Sequence, residues 1–141
     1  MDRGSILRVW LPLVGASWAL GFVFVSGPGP HDFTRWFGLA LGVVGLSGVV
    51  GSRYTLGRSF SIAPKATELV TRGIYSRIRN PIYVAGVIFA AGIFLIVRKP
   101  VLWLLLLVMI PLQIVRARRE ARVLEATFGD AYREYRRRTW F

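Results

Sequence analysis

Apolar residues are collected in four stretches that contain no Asp, Glu, Lys or Arg. These stretches cover residues 9–30, 36–52, 80–97 and 101–115. Each is close to the ~17–25 residues that an α-helix needs to cross about 30 Å of hydrocarbon. The pattern therefore predicts four transmembrane helices, beginning and ending near residues 5–26, 33–51, 80–97 and 101–115. Because the last two are short and separated by three residues, a tight hairpin that does not cross at full depth is the alternative for that pair.

Residues with capping chemistry mark where two of these helices begin. Pro81 suits the first turn of helix 3, where its missing N–H would be unpaired in any case, and Asn80 before it is a candidate N-cap. Asp32 follows the turn at residues 27–30 and is a candidate cap for helix 2.

Helix 2 carries glycines spaced by three or four residues, which places them along one face. They are Gly38, Gly42, Gly45, Gly48 and Gly51. Such a stripe favours close packing against another membrane helix. The alternative is a groove that holds a lipid tail or a ligand.

Two segments outside the apolar stretches have a mixed pattern. Residues 53–76 cannot span a membrane and are interpreted as a partly helical cytoplasmic loop that lies at the membrane interface. Residues 116–138 are predicted to form a cytoplasmic tail of two helices separated by Gly129. On the first tail helix, Glu120 shares a face with Leu124 and Phe128, which are the side chains most suited to burial there.

Composition and charge place the chain among membrane proteins. Its mean hydropathy is +0.49 and 54% of its residues are apolar, while the net charge is +12. If both termini are cytoplasmic, all of the 19 Lys and Arg residues lie on the cytoplasmic side except Arg35, Arg98 and Lys99. This distribution follows the positive-inside rule and suits contact with anionic membrane lipids. Nucleic-acid binding is not needed to explain the charge, and no nucleic-acid recognition motif is visible.

Several kinds of site are excluded by residue type. The chain has no cysteine and one histidine, so it offers no disulfide, no thiolate nucleophile and no cluster of metal ligands. It also lacks a Ser-His-Asp set and a glycine-rich phosphate loop with lysine. What remains is a group of arginines, tyrosines and one glutamate at the membrane surface. Arg suits a carboxylate, Glu suits an ammonium, and aromatic rings suit a base or a sulfonium cation.

At these residues the sequence resembles the isoprenylcysteine carboxyl methyltransferase and phospholipid methyltransferase family of integral-membrane enzymes. The family's first motif is matched by Gly73, Tyr75, Arg79, Pro81, Tyr83 and Gly86, with Asn80 in the position of a histidine. Its second motif is matched by Glu120, Leu124, Phe128, Gly129, Tyr132 and Tyr135, with Ala121 in place of a second acidic residue. The resemblance covers residues 53–141, which we interpret as the catalytic core of a single domain that includes the helix pair of residues 1–52.

The resemblance implies transfer of a methyl group from S-adenosylmethionine to a lipophilic or small-molecule acceptor, most like isoprenylcysteine carboxyl methylation. It also implies an all-α polytopic membrane fold. The implied catalytic residues are Arg79 and Asn80, and the implied cosubstrate-binding residues are Tyr75, Arg77, Pro81, Tyr83, Gly86, Glu120, Leu124, Phe128 and Tyr132. Asn80 cannot take up a proton at neutral pH, and without a second acid at position 121 the ammonium is left to Glu120, with Glu125 nearby.

Other interpretations of these residues stay open. The arginines also serve as topology signals, Tyr75 and Tyr83 as interfacial anchors, and Glu120 as an ion-pair partner of Arg116 or Arg119. Two other functions fit the architecture: an NADPH-dependent membrane reductase of the sterol reductase type, and a non-enzymatic scaffold that binds anionic lipid. The acceptor group, whether carboxylate, amine or thiol, is not separated by the sequence.

Overall fold

A computed structural model describes residues 3–56 and 69–141 of the chain. They form five α-helices and one short 3-10 helix. In chain order these are α1 (Arg3–Ser26), α2 (Phe33–Leu56), the 3-10 helix (Gly73–Ser76), α3 (Pro81–Val97), α4 (Val101–Phe128) and α5 (Asp130–Arg138). Across these two ranges the only β-type pairing is a single parallel bridge between Ile78 and Trp140. The prediction of an all-α fold is confirmed.

Two helices, α2 and α4, are long and apolar enough to cross a membrane. Residues Leu11–Ser26 of α1 and all of α3 form shorter apolar helices. The 17 residues of α3 rise about 25 Å, which is slightly less than the thickness of a bilayer core. Large apolar side chains of α1 and α4 are exposed, as membrane contact requires; examples are Trp18, Phe22, Leu104 and Leu107. The chain is an all-α membrane protein.

The start of α3 agrees with the sequence in one respect and differs in another. Pro81 is the first residue of the helix, as predicted. The prediction that Asn80 caps the helix with its side chain is wrong, because that side chain makes no capping hydrogen bond. Asn80 acts through its backbone instead: its carbonyl accepts the N–H groups of Tyr83 and Val84. Asp32 does cap α2, since its Oδ1 accepts the Arg35 N–H at 3.1 Å.

Two helices are longer than predicted. Helix α2 continues beyond Gly51 to Leu56, so that Tyr54 belongs to a helix and not to an interfacial loop. Of the rest of that predicted, partly helical loop, residues 57–68 lie outside the described residues, and Gly73–Ser76 form the 3-10 helix. Helix α4 continues from its apolar half to Phe128 without a break, because residues 112–128 contain neither glycine nor proline to stop it. Gly129, with φ 51°, ends the helix as predicted.

The glycine stripe of α2 packs against α3. A Cβ on Gly45 would lie 2.4 Å from the backbone nitrogen of Phe89, and one on Gly92 would lie 2.5 Å from the nitrogen of Gly42. These distances are too short for any side chain, so the two backbones are in direct contact. The prediction of close helix packing is confirmed, and the alternative of a ligand groove along this stripe is wrong because α3 fills it. Gly51 is the exception, with nothing within 4 Å of its Cβ position.

At one end of the bundle, here called the turn end, the α1–α2 turn at residues 27–32 meets the α3–α4 turn at residues 98–100. The Asp32 and Arg98 side chains form an ion pair between the two turns. Arg35 is 1% exposed, and its two terminal nitrogens donate to the carbonyls of Gly27 and Gly29 at 2.8 Å. Its guanidinium thus provides hydrogen-bond donors to carbonyls of the turn that follows α1. The opposite end, which carries the two sequence motifs, is here called the motif end.

Candidate functional site

The two motifs meet through a hydrogen bond between α3 and α4. The Tyr83 hydroxyl, on the first turn of α3, donates to Oε1 of Glu120 in the second half of α4. These residues are 37 positions apart in the chain. The Arg116 guanidinium lies 6.0 Å from the centre of the Tyr83 ring, one turn of α4 before Glu120. An anion, a cation and an aromatic hydroxyl are therefore held together where α4 continues beyond its apolar half.

A second connection joins the 3-10 helix to α5. The Tyr135 hydroxyl donates to the Tyr75 carbonyl at 2.7 Å, and the rings of Tyr132 and Tyr135 are 6.1 Å apart. Tyr75, Tyr132 and Tyr135 are all buried, with 8%, 2% and 9% exposure. The amphipathic pattern of α5 explains this arrangement, because its two tyrosines face inward while its arginines face outward.

Burial and charge raise the pKa values of these tyrosines. Burial, followed by the proximity of Tyr132, raises the pKa of Tyr135 to about 12. Burial also raises the pKa of Tyr75, and Tyr135 and Glu120 add to the effect. The pKa of Tyr132 is raised by burial too, although Arg79 opposes the increase. All three hydroxyls are consequently neutral hydrogen-bonding groups near pH 7 and are unsuited to act as bases.

Arg79 belongs to the first motif and lies next to Tyr132 of the second motif. It is half-buried, and among the described residues it forms no ion pair. Its Nε is buried and has no hydrogen-bond partner within the same part of the chain. A buried donor on a cation is costly when unpaired, so this nitrogen is suited to an anionic or polar ligand.

The stretch from Arg77 to Asn80 is held by the last residues of the chain. Trp140 donates its N–H to the Arg77 carbonyl at 3.0 Å. The carbonyl of Phe141 accepts the N–H groups of Arg79 at 2.9 Å and of Asn80 at 3.0 Å. The conformation of both implied catalytic residues therefore depends on residues that follow α5.

The other predicted site residues are distributed unevenly around these contacts. Pro81 is fully buried at the start of α3, whereas Arg77 is exposed. Gly86 faces α4, where its Cβ position is 3.8 Å from Nε2 of Gln113. Leu124 and Phe128 follow Glu120 on α4 and are half-buried, while Arg119 and Arg122 are exposed.

Two expectations about the acidic residues of α4 are wrong. In the part of the chain that the structure describes, Glu120 forms no ion pair with Arg116 or Arg119; Tyr83 is its partner there. Glu125 is not available as a second free carboxylate, because it pairs with Arg133 at 3.0 Å and with Arg136 at 3.9 Å. The replacement of the second acidic residue by Ala121 is therefore not compensated by Glu125.

Sequence reasoning missed two contributors to this site. Arg116 was considered only as an ion-pair partner, yet it contacts the Tyr83 ring. The segment of Trp140 and Phe141 was not identified at all. Its contacts to the first motif are made by backbone atoms, and the Trp140 side chain is 61% exposed. Backbone contacts of this kind do not depend on side-chain identity, so they cannot be recognised in a sequence.

Comparison with known proteins identifies a family. The model of the phospholipid methyltransferase family matches residues 33–131. The matched range begins at the first residue of α2 and ends in the first turn of α5. It contains the whole first motif and the second motif as far as Gly129, and it stops before Tyr132 and Tyr135. Neither a search of curated proteins nor a search of solved structures found a match.

Proposed function

Because the chain belongs to the phospholipid methyltransferase family, we propose that it binds S-adenosylmethionine at the motif end and methylates a lipid-linked acceptor delivered from the membrane. The observation that carries the proposal is the contact between the two motifs, made by the Tyr83–Glu120 hydrogen bond. It unites residues of opposite charge with buried aromatic rings at one end of a membrane bundle. The excess of cations at this end supports a cytoplasmic location.

The residues at the motif end fit the parts of this methyl donor. The Nε of Arg79, which has no hydrogen-bond partner among the described residues, suits its carboxylate, and Glu120 suits its ammonium. The buried rings of Tyr75 and Tyr132, together with Tyr83, suit its adenine and its sulfonium cation. When bound, S-adenosylmethionine supplies an electrophilic methyl group on a positively charged sulfur.

The protein's own contribution to methyl transfer is alignment and exclusion of water. Methyl transfer is an in-line displacement, so donor and acceptor must be held in one geometry. Tyr83 orients the Glu120 carboxylate, and Arg116 provides a cation beside that pair. Burial of Tyr75 and Tyr132 supplies a site wall that keeps water away.

The distribution of proton acceptors supports a carboxylate as the methyl-accepting group, as in isoprenylcysteine carboxyl methylation. A carboxylate is already a nucleophile at neutral pH, whereas a protonated lipid amine must first lose a proton. The single histidine of the chain, His31, lies in the turn before α2, at the other end of the bundle. Asn80 stands in the position of the family's histidine and cannot take up that proton. Arg79 or the exposed Arg77 suits an acceptor carboxylate or a neighbouring lipid phosphate.

Binding of S-adenosylhomocysteine to the purified protein tests the donor site. By isothermal titration calorimetry, Arg79→Gln and Glu120→Gln are each expected to weaken binding by about tenfold or more, because each removes a charge-assisted hydrogen bond. Arg118→Gln and Glu134→Gln are the matched controls, since both residues are exposed on α4 and α5. Absence of binding by the unchanged protein, or equal losses in the controls, would contradict the proposal.

A methyl-transfer assay with radiolabelled donor and membrane extract tests the acceptor. Methyl esters release methanol in alkali, whereas N-methyl groups do not. Alkali-labile label in the lipid or prenylated fraction is therefore expected. Alkali-stable label would instead contradict a carboxylate acceptor, because methylated amines and methylated thiols both keep their label in alkali.

A further inference from the structure

The residues that follow α5 leave the helix in an extended conformation and turn back to the first motif. Thr139, with φ −123° and ψ 148°, is 9% exposed and donates its hydroxyl to the Tyr135 carbonyl at 2.8 Å. We call residues 139–141 the strap. The hydroxyl of Thr139 ties the strap to the same residue that anchors α5 to Tyr75.

The strap runs parallel to residues 77–80 and bonds to them only through backbone atoms among the hydrogen bonds described here. Its Trp140 N–H donates to the Arg77 carbonyl, and its Phe141 carbonyl accepts from Arg79 and Asn80. Phe141 has φ 37°, a conformation that residues with a Cβ seldom adopt. Two hydrogen bonds to its carbonyl offset the cost of that conformation.

The strap accepts hydrogen bonds from backbone N–H groups that have no partner in α3. The N–H groups of Arg79 and Asn80 precede the first turn of α3, so no carbonyl of that helix is available to them. Residues 77–80 also lie outside any helix. Segments of this kind open easily unless other contacts hold them.

We propose that the strap is a positioning segment for methyl-donor binding: it holds Arg79 and Asn80 against Tyr132 and the second motif. This inference rests on the proposed function, because it assigns the strap to the same site. The strap does not itself contact the donor; it acts through Arg79. Among the described residues, the backbone bonds of the strap then add to two connections between the motifs, the Tyr83–Glu120 bond and the Tyr135–Tyr75 bond.

A proline substitution removes the central bond of the strap. Trp140→Pro deletes the N–H that reaches Arg77, and Thr139 already has the extended conformation that a residue before proline prefers. Trp140→Ala is the matched control, since it removes the exposed indole and keeps the N–H. We expect Trp140→Pro to bind S-adenosylhomocysteine about three- to tenfold more weakly than Trp140→Ala, the loss expected for one backbone hydrogen bond. Amide hydrogen exchange at residues 77–80 is expected to be faster in the proline variant.

A second pair of variants covers the case in which the proline variant does not fold. Thr139→Val removes the hydroxyl bond to Tyr135, whereas Thr139→Ser retains it. Thr127→Val removes the same type of bond from an exposed position of α4 and serves as the control. Weaker donor binding in Thr139→Val, with recovery in Thr139→Ser and no change in Thr127→Val, supports the strap.

The outcomes separate the two proposals. If Trp140→Pro and Trp140→Ala bind equally well and exchange at equal rates, the strap is not a positioning segment although the proposed function stands. Equal binding by the three threonine variants leads to the same conclusion. If the unchanged protein binds no S-adenosylhomocysteine, the proposed function is overturned and the role of the strap in donor binding falls with it.

Discussion

The two ends of the bundle use arginine in opposite ways. At the turn end, Arg35 is buried with both terminal nitrogens on backbone carbonyls, and Arg98 pairs with Asp32. At the motif end, Arg79 is half-buried, and among the described residues it has no carboxylate partner. Its described neighbours are the Tyr132 side chain and the backbone of the strap.

This difference separates structural cations from cations that are available to a ligand. Among the described residues, the Nε of Arg35 has no hydrogen-bond partner. The two terminal nitrogens, however, join the turn after α1 to the start of α2. Removing Arg35 should therefore affect stability. In the part of the chain that the structure describes, the Arg79 side chain meets Tyr132 but no carboxylate. Removing it should therefore affect binding while leaving the unfolding free energy nearly unchanged. Each prediction below tests one part of this distinction.

The largest effect on stability is expected from Arg35→Met. The substitution leaves the carbonyls of Gly27 and Gly29 without their donor in a buried place, which should cost about 2–5 kcal/mol in the free energy of unfolding. Equilibrium unfolding in detergent measures this cost, and the fraction that remains folded should bind S-adenosylhomocysteine normally. Arg118→Met, at an exposed position of α4, should change stability by less than about 0.5 kcal/mol. Equal stabilities of the two variants would show that the Arg35 side chain does not stabilise the turn end.

The contact between α2 and α3 joins the two ends, and Gly45→Ala should disrupt it. The added methyl group would overlap the backbone of Phe89, and overpacking of this kind costs about 1–3 kcal/mol. Gly51→Ala is the control on the same helix, because its Cβ position is free. That control should be neutral or stabilising by less than about 1 kcal/mol. Unfolding midpoints of both variants in the same detergent give the comparison, and a tolerated alanine at position 45 would contradict the close contact.

At high pH the motif end should lose stability. The pKa of Tyr135 is about 12 in the folded protein and near 10 when the chain is unfolded, so its contribution is complete below pH 10 and is lost as pH rises toward 12. The loss amounts to roughly 2 kcal/mol at most. Tyr135→Phe should reduce the slope of stability against pH in this range without abolishing it, because Tyr75 and Tyr132 also have raised pKa values. An unchanged slope would show that Tyr135 is not buried as described.

The smallest effect is expected at low pH, at the turn end. Arg98, through its hydrogen bond, lowers the pKa of Asp32 below its ordinary value of 3.8. A lowered folded-state pKa means that the pair stabilises the protein above about pH 4 and that this contribution is lost as pH falls further. Thermal unfolding between pH 5 and pH 3 should therefore be less dependent on pH in Asp32→Asn than in the unchanged protein. Glu134→Gln, which alters an exposed pair on α5, serves as the control. The same pH dependence in Asp32→Asn and the unchanged protein would argue against the pair.

Much of the local structure could be predicted because its causes are local. Absence of charge defines the apolar helices, Pro81 starts α3, and Gly129 ends α4. The two motifs could also be identified from their spacing, and the family match covers the first motif and the second as far as Gly129. Helix ends without such a signal were less accurate: α2 passes Gly51, and α4 passes Arg116. A single glycine or a change from apolar to basic residues is too weak to stop a helix that continues to make its own hydrogen bonds.

By itself, the sequence determined that this protein is a helical membrane protein with two methyltransferase-like motifs, because apolar length and motif spacing are properties of the chain alone. Only the tertiary structure decided what each polar group meets. In the folded protein, α3 packs on the glycine stripe and the buried Arg35 side chain donates to backbone carbonyls. Glu120 accepts from Tyr83, Glu125 pairs with Arg133, and the strap bonds to the backbone of Arg79. These partners lie in different helices or turns, and the strap uses backbone atoms that every sequence shares. Their meeting depends on how the helices pack, which no local pattern encodes.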